Sequence, residues 1–482
     1  GDGSVAVYDR QMKCNALTAH GGNWIGGGNA VRVEEDTPFA YSADGITNWQ
    51  AAAKGKEQAI LRKELFYAPT PTNNYFGNAC AMNAAGTRLA VGSYAANSNM
   101  GRVCIYDYDM SLNDWFAEPT KVLTGTELAG LDYFGMSVAL NAAGDRLVVG
   151  EPWGDIGGTN RGSIFIYHYN HTTGQWPTTA THIYNNDSAS DHLGMAVAIN
   201  AAGNRIAVGV PYDDTPNLNS GSVYIVDYNE TTGLWPDNGD GNGFINTAPG
   251  RIKVSGGTAG MQVGGGGLSF NAAGDILAIG APAPGGGTGT VFIIERDNTT
   301  GGWGRLDGFT GTDFTVNWDV YTTSYVLKAA GVSTNFGRSV SLNAKGDRLA
   351  IGEYQHNYGR VHLIHYDYSN KRWWTDGNTI STCSTLVRYY LGVLTDDAFG
   401  INVALNAAGD RLIVGSPYTN INFTDSGSVH IFDYDYTTGL WPGPSGVYSG
   451  KETYEFLGYV ASDFLGGSVA INAAGNRIAC GA

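Results

Sequence analysis

Seven times along its 482 residues the chain returns to one phrase, Asn-Ala-x-Gly, at Asn83, Asn141, Asn200, Asn271, Asn343, Asn406 and Asn472. The intervals run from 58 to 72 residues, longer than the units of helical solenoids and long enough for one four-stranded sheet per repeat. The copy beginning at Phe134 spells out the sheet. Phe134 to Leu140 reads as a short strand rich in small residues, and Asn141 to Gly144 as a turn in which Asn bonds nearby backbone and Gly supplies positive φ. Arg146 to Gly150 is a β-branched strand, followed by a variable Gly/Asp/Asn loop. Gly162 to Tyr169 alternates as a half-buried strand, and Asn170 to Gly174 turns the chain towards Trp176 and a fourth strand.

A single blade of this kind cannot cover both of its faces, whereas blades set radially bury each face against a neighbour and leave only short edges. The expected fold is therefore all-β: one seven-bladed propeller of four-stranded antiparallel blades spanning 1–482, with repeats beginning near 76, 134, 193, 262, 336, 399 and 465. The last repeat holds only two strands before Ala482. The Gly3-Ser4-Val5-Ala6-Val7-Tyr8-Asp9 run matches Gly427 to Asp433 and supplies a third, so the two ends share a blade, completed by 1–10. Residues 15–75 are surplus to the repeat and read as an insertion or a partial extra blade, which leaves eight blades as the alternative count. Within them, Ser42 to Trp49 resembles the Asp-box hairpins of sialidase-like propellers.

The Phe-Gly openings at Phe76, Phe134, Phe336 and Phe399, with the Arg-Leu-Ala-Val-Gly and Gly-Ser-Val-x-Ile-Tyr strands, resemble the FG-GAP repeats of integrin α-like propellers. The resemblance covers nearly the whole chain and speaks to fold rather than function. It also brings calcium into view, because related turns carry alternating oxygen ligands around Asp-x-Asn-x-Asp-Gly. Here alanines stand at ligand positions, and a single Asp such as Asp145, Asp347 or Asp410 cannot supply the six to eight oxygens calcium takes. No cofactor is expected at these turns.

Composition narrows the rest. A net charge of −16, with no Lys/Arg cluster, argues against nucleic acid as a partner. No run of about 18 apolar residues and no basic-then-apolar leader are present, so neither membrane insertion nor a processed signal is read from the sequence. Five cysteines without CxxC or CxxH spacing make neither a disulfide framework nor a zinc site, and Cys80 and Cys480 occupy positions where sister repeats carry Val or Ala. In the loops between second and third strands, Asp155, Asp213, Asp214 and Asp425 are candidate metal or ligand contacts, beside a reading as turn formers. N-x-Ser/Thr sequons fall at Asn170, Asn186, Asn229, Asn298 and Asn422. Asn170, Asn229 and Asn298 are read at one equivalent turn, where other blades carry Asp109, Asp367 or Asp435, so Asx-turn chemistry accounts for them without glycans. The periodic tryptophans Trp115, Trp176, Trp235, Trp303, Trp373 and Trp441 are expected to pack rather than form a sugar-binding belt.

No HExxH motif or recurring Ser/His/Asp order appears, and Arg88, Arg146, Arg205, Arg348, Arg411 and Arg477 recur at one second-strand position instead of clustering as a sialidase site would need. The expectation is a non-enzymatic, extracellular or surface-exposed module of a cell surface, filament or virion. It would engage protein or glycan partners through its loops, as a glycoprotein if its sequons are used and as part of a larger assembly. A glycosidase or lyase with carboxylates at the channel mouth, and a viral surface or capsid-associated protein, are the alternatives.

Overall fold

A computed structural model describes residues 5–11, 50–51, 58–65, 75–125, 131–156, 158–237, 242–282, 289–297, 301–303, 313–316, 325–328, 335–354, 358–369, 372–373, 387–393, 396–443, 446–447 and 452–482. The chain folds into seven antiparallel sheets set in a ring, a seven-bladed β-propeller. The innermost strands, which define blades 1 to 7 below, are Ala79–Met82, Ser137–Leu140, Val197–Ile199, Leu268–Phe270, Phe336–Leu342, Asn402–Leu405 and Ser468–Ile471. They touch one another in sequence order, and Ser468–Ile471 meets Ala79–Met82 to complete the circle.

Blade 2 shows the common plan. Ser137–Leu140 pairs with Arg146–Glu151, which pairs with Ser163–His168, which pairs with His182–Asn185, all antiparallel. The second and third strands are buried along almost their whole length because both of their faces meet neighbouring blades. Each core therefore lies between blades. Val148, Ile164 and Ile166 of blade 2, for instance, pack against Ile206, Val208 and Tyr224 of blade 3. Side chains of this size gain about 1.5–3 kcal/mol each on full burial, which is what holds neighbouring sheets face to face.

A glycine at or next to the end of each second strand sets the spacing between blades. A Cβ on Gly150 would overlap the carbonyl oxygen of Gly194 in the next blade, and Gly481 stands in the same relation to Gly77 across the closure. The Asn-Ala-x-Gly turns form a second belt. Asn141 Oδ1 accepts the backbone N–H groups of Asp145 and Arg146, each at 2.9 Å, and Gly144 closes the turn at φ +76°. The backbone N–H of Ala84 donates to the Ala142 carbonyl, Ala142 to Ala201, Ala201 to Ala272, Ala272 to Ala344, Ala344 to Ala407, Ala407 to Ala473 and Ala473 back to Ala84. One closed circuit of main-chain hydrogen bonds thus runs through every repeat.

Blade 7 is shared between the ends more equally than the sequence suggests. Arg477–Gly481 pairs with Val5–Gln11, from Val5↔Gly481 to Asp9↔Arg477. Gln58–Leu65 then pairs with the outer side of Val5–Gln11, so the N-terminal region supplies both outer strands. This strand comes from within the surplus segment 15–75, and the ring closes at seven blades. The Asp-box-like phrase at Ser42 to Trp49 lies outside the described residues.

Connections between third and fourth strands also reach backwards. Asn242–Phe244 adds a parallel strand to the outer edge of blade 2, Asp313–Val316 to blade 3 and Gly446–Val447 to blade 5, while Gln50–Ala51 pairs antiparallel with the outer strand of blade 6. Each clasp covers edge backbone groups that would otherwise be open to pairing.

Candidate functional site: the loop face

With first and second strands joined by the Asn-Ala-x-Gly turns, the second-to-third loops and the connections between blades emerge together at the opposite end. On this face the residue preceding each Phe-Gly position is a non-glycine with left-handed backbone: Tyr75, Tyr133, His192, Gln262, Asn335, Ala398 and Phe464, with φ between +48° and +68°. Such a conformation is uncommon outside glycine and costs free energy, so something must hold it. The backbone N–H groups of Tyr133, His192, Gln262 and Phe464 donate to the carbonyls of Asn99, Asn160, Asn219 and Asp425 in the preceding blade. Those acceptors are themselves left-handed, and their Asx side chains tolerate it best.

Over part of the ring these positions carry aromatic groups, which interleave with aromatic residues from the second-to-third loops. Tyr75 stacks on Tyr94 with ring centroids 5.0 Å apart, and Tyr94 meets Tyr133 edge-on at 5.4 Å. Tyr133 meets Trp153 at 4.9 Å, Trp153 meets His192 at 4.8 Å, and His192 meets Tyr212 at 5.0 Å. Across blade 7, Tyr418 meets Phe464 at 5.7 Å. Burial raises the Tyr94 phenol above its ordinary value, and the phenols of Tyr75, Tyr133 and Tyr418 push it the same way. Tyr418 of blade 6 is therefore in electrostatic reach of Tyr94 in blade 1, and the aromatic arc spans blades 6, 7, 1, 2 and 3. Tyr75 and Tyr418 are 51% and 41% exposed, and the five groups between Tyr94 and Tyr212 are half-buried. The arc was not anticipated from the sequence, although its signal is there: an aromatic directly before Phe134 or Leu193, and another after Pro152, Pro211 and Pro417.

The candidate carboxylates belong to the same face but do not converge. Asp155 accepts the backbone N–H of Asn160 at 2.6 Å, and Asp214 that of Asn219 at 2.8 Å, each stapling its own loop. Asp425 stands where blades 2 and 3 have Asn160 and Asn219, and its N–H goes to Asn420. Asp213 is buried, bonded by the Ser222 hydroxyl at 2.6 Å and paired with Lys253 at 2.7 Å. Nearby Asp191 is pushed up to about 6 by burial, against the Asn186 amide that donates to it at 2.8 Å, with Asp213, Asp214 and Asp187 adding to the rise. Among the described residues no three His, Cys, Asp or Glu side chains come together as a metal site.

The sequons divide by environment. Asn170 and Asn229 are exposed, and their carboxamide oxygens accept backbone N–H groups two and three residues on. Asn186 is buried with its amide spent on Asp191, and the exposed Asn422 donates to Gly458. Asn298 lies outside the described residues. The turn position equivalent to Asn170 is held by Asp297, whose carbonyl accepts the Gly301 N–H just as Asn170 accepts that of Gly174. The alignment with Trp303 is therefore one residue from that read in the sequence. The six periodic tryptophans are all buried at 5% exposure or less, in packing positions. The recurrent arginines reach across blades at the other end: Arg146 donates to the Gly203 carbonyl at 3.0 Å with its guanidinium 4.1 Å from the Tyr228 ring, and Arg411 donates to Gly475 at 2.6 Å while pairing with Asp433. Cys104 and Cys480 are buried and Cys80 half-buried; burial pushes the Cys80 and Cys104 thiols up to about 12.

One constellation has the form of a nucleophile and base. Ser428 Oγ lies 2.8 Å from His430 Nε2, and His430 Nδ1 lies 3.5 Å from Glu455. Both Ser428 and His430 are fully buried, and burial holds the imidazole down at about 3. His430 occupies a third-strand core position filled by Phe165, Tyr224 or Phe292 in other blades.

A model of the FG-GAP repeat matches residues 120–167 and 176–226, each stretch running from the outer strand of one blade through the first three strands of the next, within blades 1 to 3. The chain is an FG-GAP-like β-propeller. A comparison with curated proteins finds no match. Among solved structures the propeller is similar to hydrazine synthase of Kuenenia stuttgartiensis, at 13% identity over 85% of this chain and 94% of that one, with a TM-score of 0.49. It is also similar to a protein of Bacteroides uniformis provisionally assigned as a 6-phosphogluconolactonase, at 10% identity over 83% and 91%, with the same TM-score. Among the described residues no helix is long and apolar enough to cross a membrane.

Proposed function

We propose that this propeller is a non-enzymatic, surface-exposed adhesion or assembly module that engages protein or glycan partners through its loop face. The observation that carries the reading is the aromatic arc from Tyr418 through Tyr75 to Tyr212, held on a rigid ring by left-handed backbone and interblade hydrogen bonds. Rings presented on an ordered scaffold lose little conformational freedom on binding and supply large contact areas, which suits recognition. FG-GAP repeats are typical of extracellular domains, which accords with a surface setting. The opposite end, by contrast, spends its arginines and asparagines on holding blades together.

The test is adhesion of the purified propeller to immobilised cell-surface extracts, protein and glycan fractions separated, for the native chain and for Tyr75→Ala/Tyr418→Ala. Exposed Tyr436 in a third-to-fourth strand turn supplies the control substitution Tyr436→Ala. Loss of retention in the loop-face variant alone supports the reading; equal retention by all three chains overturns it.

A further inference from the structure

Resting on the loop-face reading, the further question is what chemistry the arc selects, and the hydroxyls of its tyrosines decide it. Several tyrosine hydroxyls outside the arc are spent internally: Tyr108 on Asn113, Tyr184 on Pro236, Tyr390 on Pro442, Tyr434 on Gly439 and Tyr436 on Asp410. Those of Tyr75, Tyr94, Tyr133, Tyr212 and Tyr418 have no hydrogen-bond partner among the described residues, and neither has the indole N–H of Trp153. The buried Nδ1 of His192, between Trp153 and Tyr212, is also unmatched. Ring surface and unspent neutral donors and acceptors therefore alternate along one arc. Half-buried polar groups of this kind are ordinarily matched by a partner, here water or a ligand.

Charge narrows the class. No Lys or Arg belongs to the arc, and the chain carries −16 overall, so anionic ligands are repelled. The exposed and half-buried carboxylates beside it are engaged, Asp187 by Asn246, Asp155 and Asp214 by their loop N–H groups and Asp463 by Val460, while Asp213, paired with Lys253 and Ser222, Asp191, bonded by Asn186, and Asp132, Glu151 and Asp397 are buried. A cationic partner would find these groups spent. What remains matched to the arc is a neutral molecule with one apolar C–H face and a hydroxyl-bearing rim.

We propose that the arc is a binding site for a neutral oligosaccharide of hexopyranose units, whose C–H faces lie on the Tyr and Trp rings while its hydroxyls meet the free phenols, the Trp153 N–H and His192. The extent of the arc over five blades favours a chain of sugars over a single residue.

The test titrates the full chain by calorimetry with neutral gluco-, manno- and galacto-configured oligosaccharides, with carboxylated and sulfated counterparts, and with a Lys/Arg-rich peptide. The expected result is binding of a neutral oligosaccharide only, weakened about tenfold by Tyr75→Ala and by Tyr418→Ala, each removing one stacked ring. Both rings are exposed, so their loss leaves the core intact, and Trp153→Phe, which keeps a ring but removes the N–H, is expected to retain more affinity than Trp153→Ala. Binding of only the anionic sugars, only the basic peptide, or no sugar at all overturns the inference. A protein partner lost on Tyr75→Ala/Tyr418→Ala overturns the sugar but leaves the loop-face reading standing; sugar binding indifferent to every arc substitution overturns both.

Discussion

The recurrent phrase is explained residue by residue, because each of its letters touches the next blade as well as its own. Asn141 bonds its own turn through Oδ1, and Gly203 of the next turn lies against its amide. Gly144, at φ +76°, would place a Cβ 3.0 Å from Asn83. Gly144→Ala is therefore expected to lower stability by about 1–2 kcal/mol from backbone conformation alone, with the clash adding to it; a denaturant midpoint equal to that of the native chain would count against the interblade account. These contacts were legible because the pattern is local and repeated. The arc was not, since its rings come from two different loop positions in five blades, and no single repeat displays the ladder. Histidines give a second residue-scale prediction. His168 and His365 accept the indole N–H of Trp235 and Trp441 on Nε2, each at 3.0 Å, and both are held down at about 4, by burial first and then by Arg146 and Arg348 respectively. In the unfolded chain they protonate as pH falls below about 6.5, whereas the folded chain resists until about 4. The unfolded state thus binds more protons within that window, and stability, complete above it, falls as pH drops from 6.5 towards 4. Melting midpoints across this range are expected to decline, and His168→Gln/His365→Gln to decline less steeply; parallel curves would remove these histidines as the cause.

At the scale of elements, the strand pattern of each blade follows from alternation and β-branching, but the outer edges do not. Gln58–Leu65 has no strand-like alternation, and it becomes the outer strand of blade 7 because Val5–Gln11 offers it an open edge. Tertiary pairing overrides local preference there. The clasps are still less visible, since Asn242–Phe244 is three residues in a long connection, paired in parallel with Ile183–Asn185 of the preceding blade. Their role as edge covers leads to a separable expectation. Gly243→Pro removes a backbone donor and the fit to Tyr184, so amides of His182–Asn185 should exchange faster while the global melting midpoint moves little. Unchanged exchange at those amides would show the clasp to be dispensable even locally.

For the whole molecule the decisive feature is that, among the described residues, the ring is closed by hydrogen bonds and packing. Two circuits hold it: the main-chain hydrogen bonds from Ala84 through Ala473 and back, and the sheet of blade 7, whose inner strands come from the C-terminal end and outer strands from the N-terminal region. Deleting residues 1–11 removes Val5, Ala6 and Val7, all fully buried, from the cores that blade 7 shares with blades 1 and 6. It also strands Gln58–Leu65 without its pairing partner and opens the edge of Arg477–Gly481. Burial of side chains like these is worth about 1.5–3 kcal/mol apiece for valine, and an open edge adds a template for association. The truncated chain is therefore expected to melt well below the native one and to self-associate on heating. Adding a peptide of residues 1–11 in excess should restore part of the midpoint by mass action, since it binds the folded ring and not the unfolded chain. A truncated chain that melts with the native protein would mean that the turn circuit alone closes the ring; one that melts low but ignores the peptide would place the loss in Gln58–Leu65 instead.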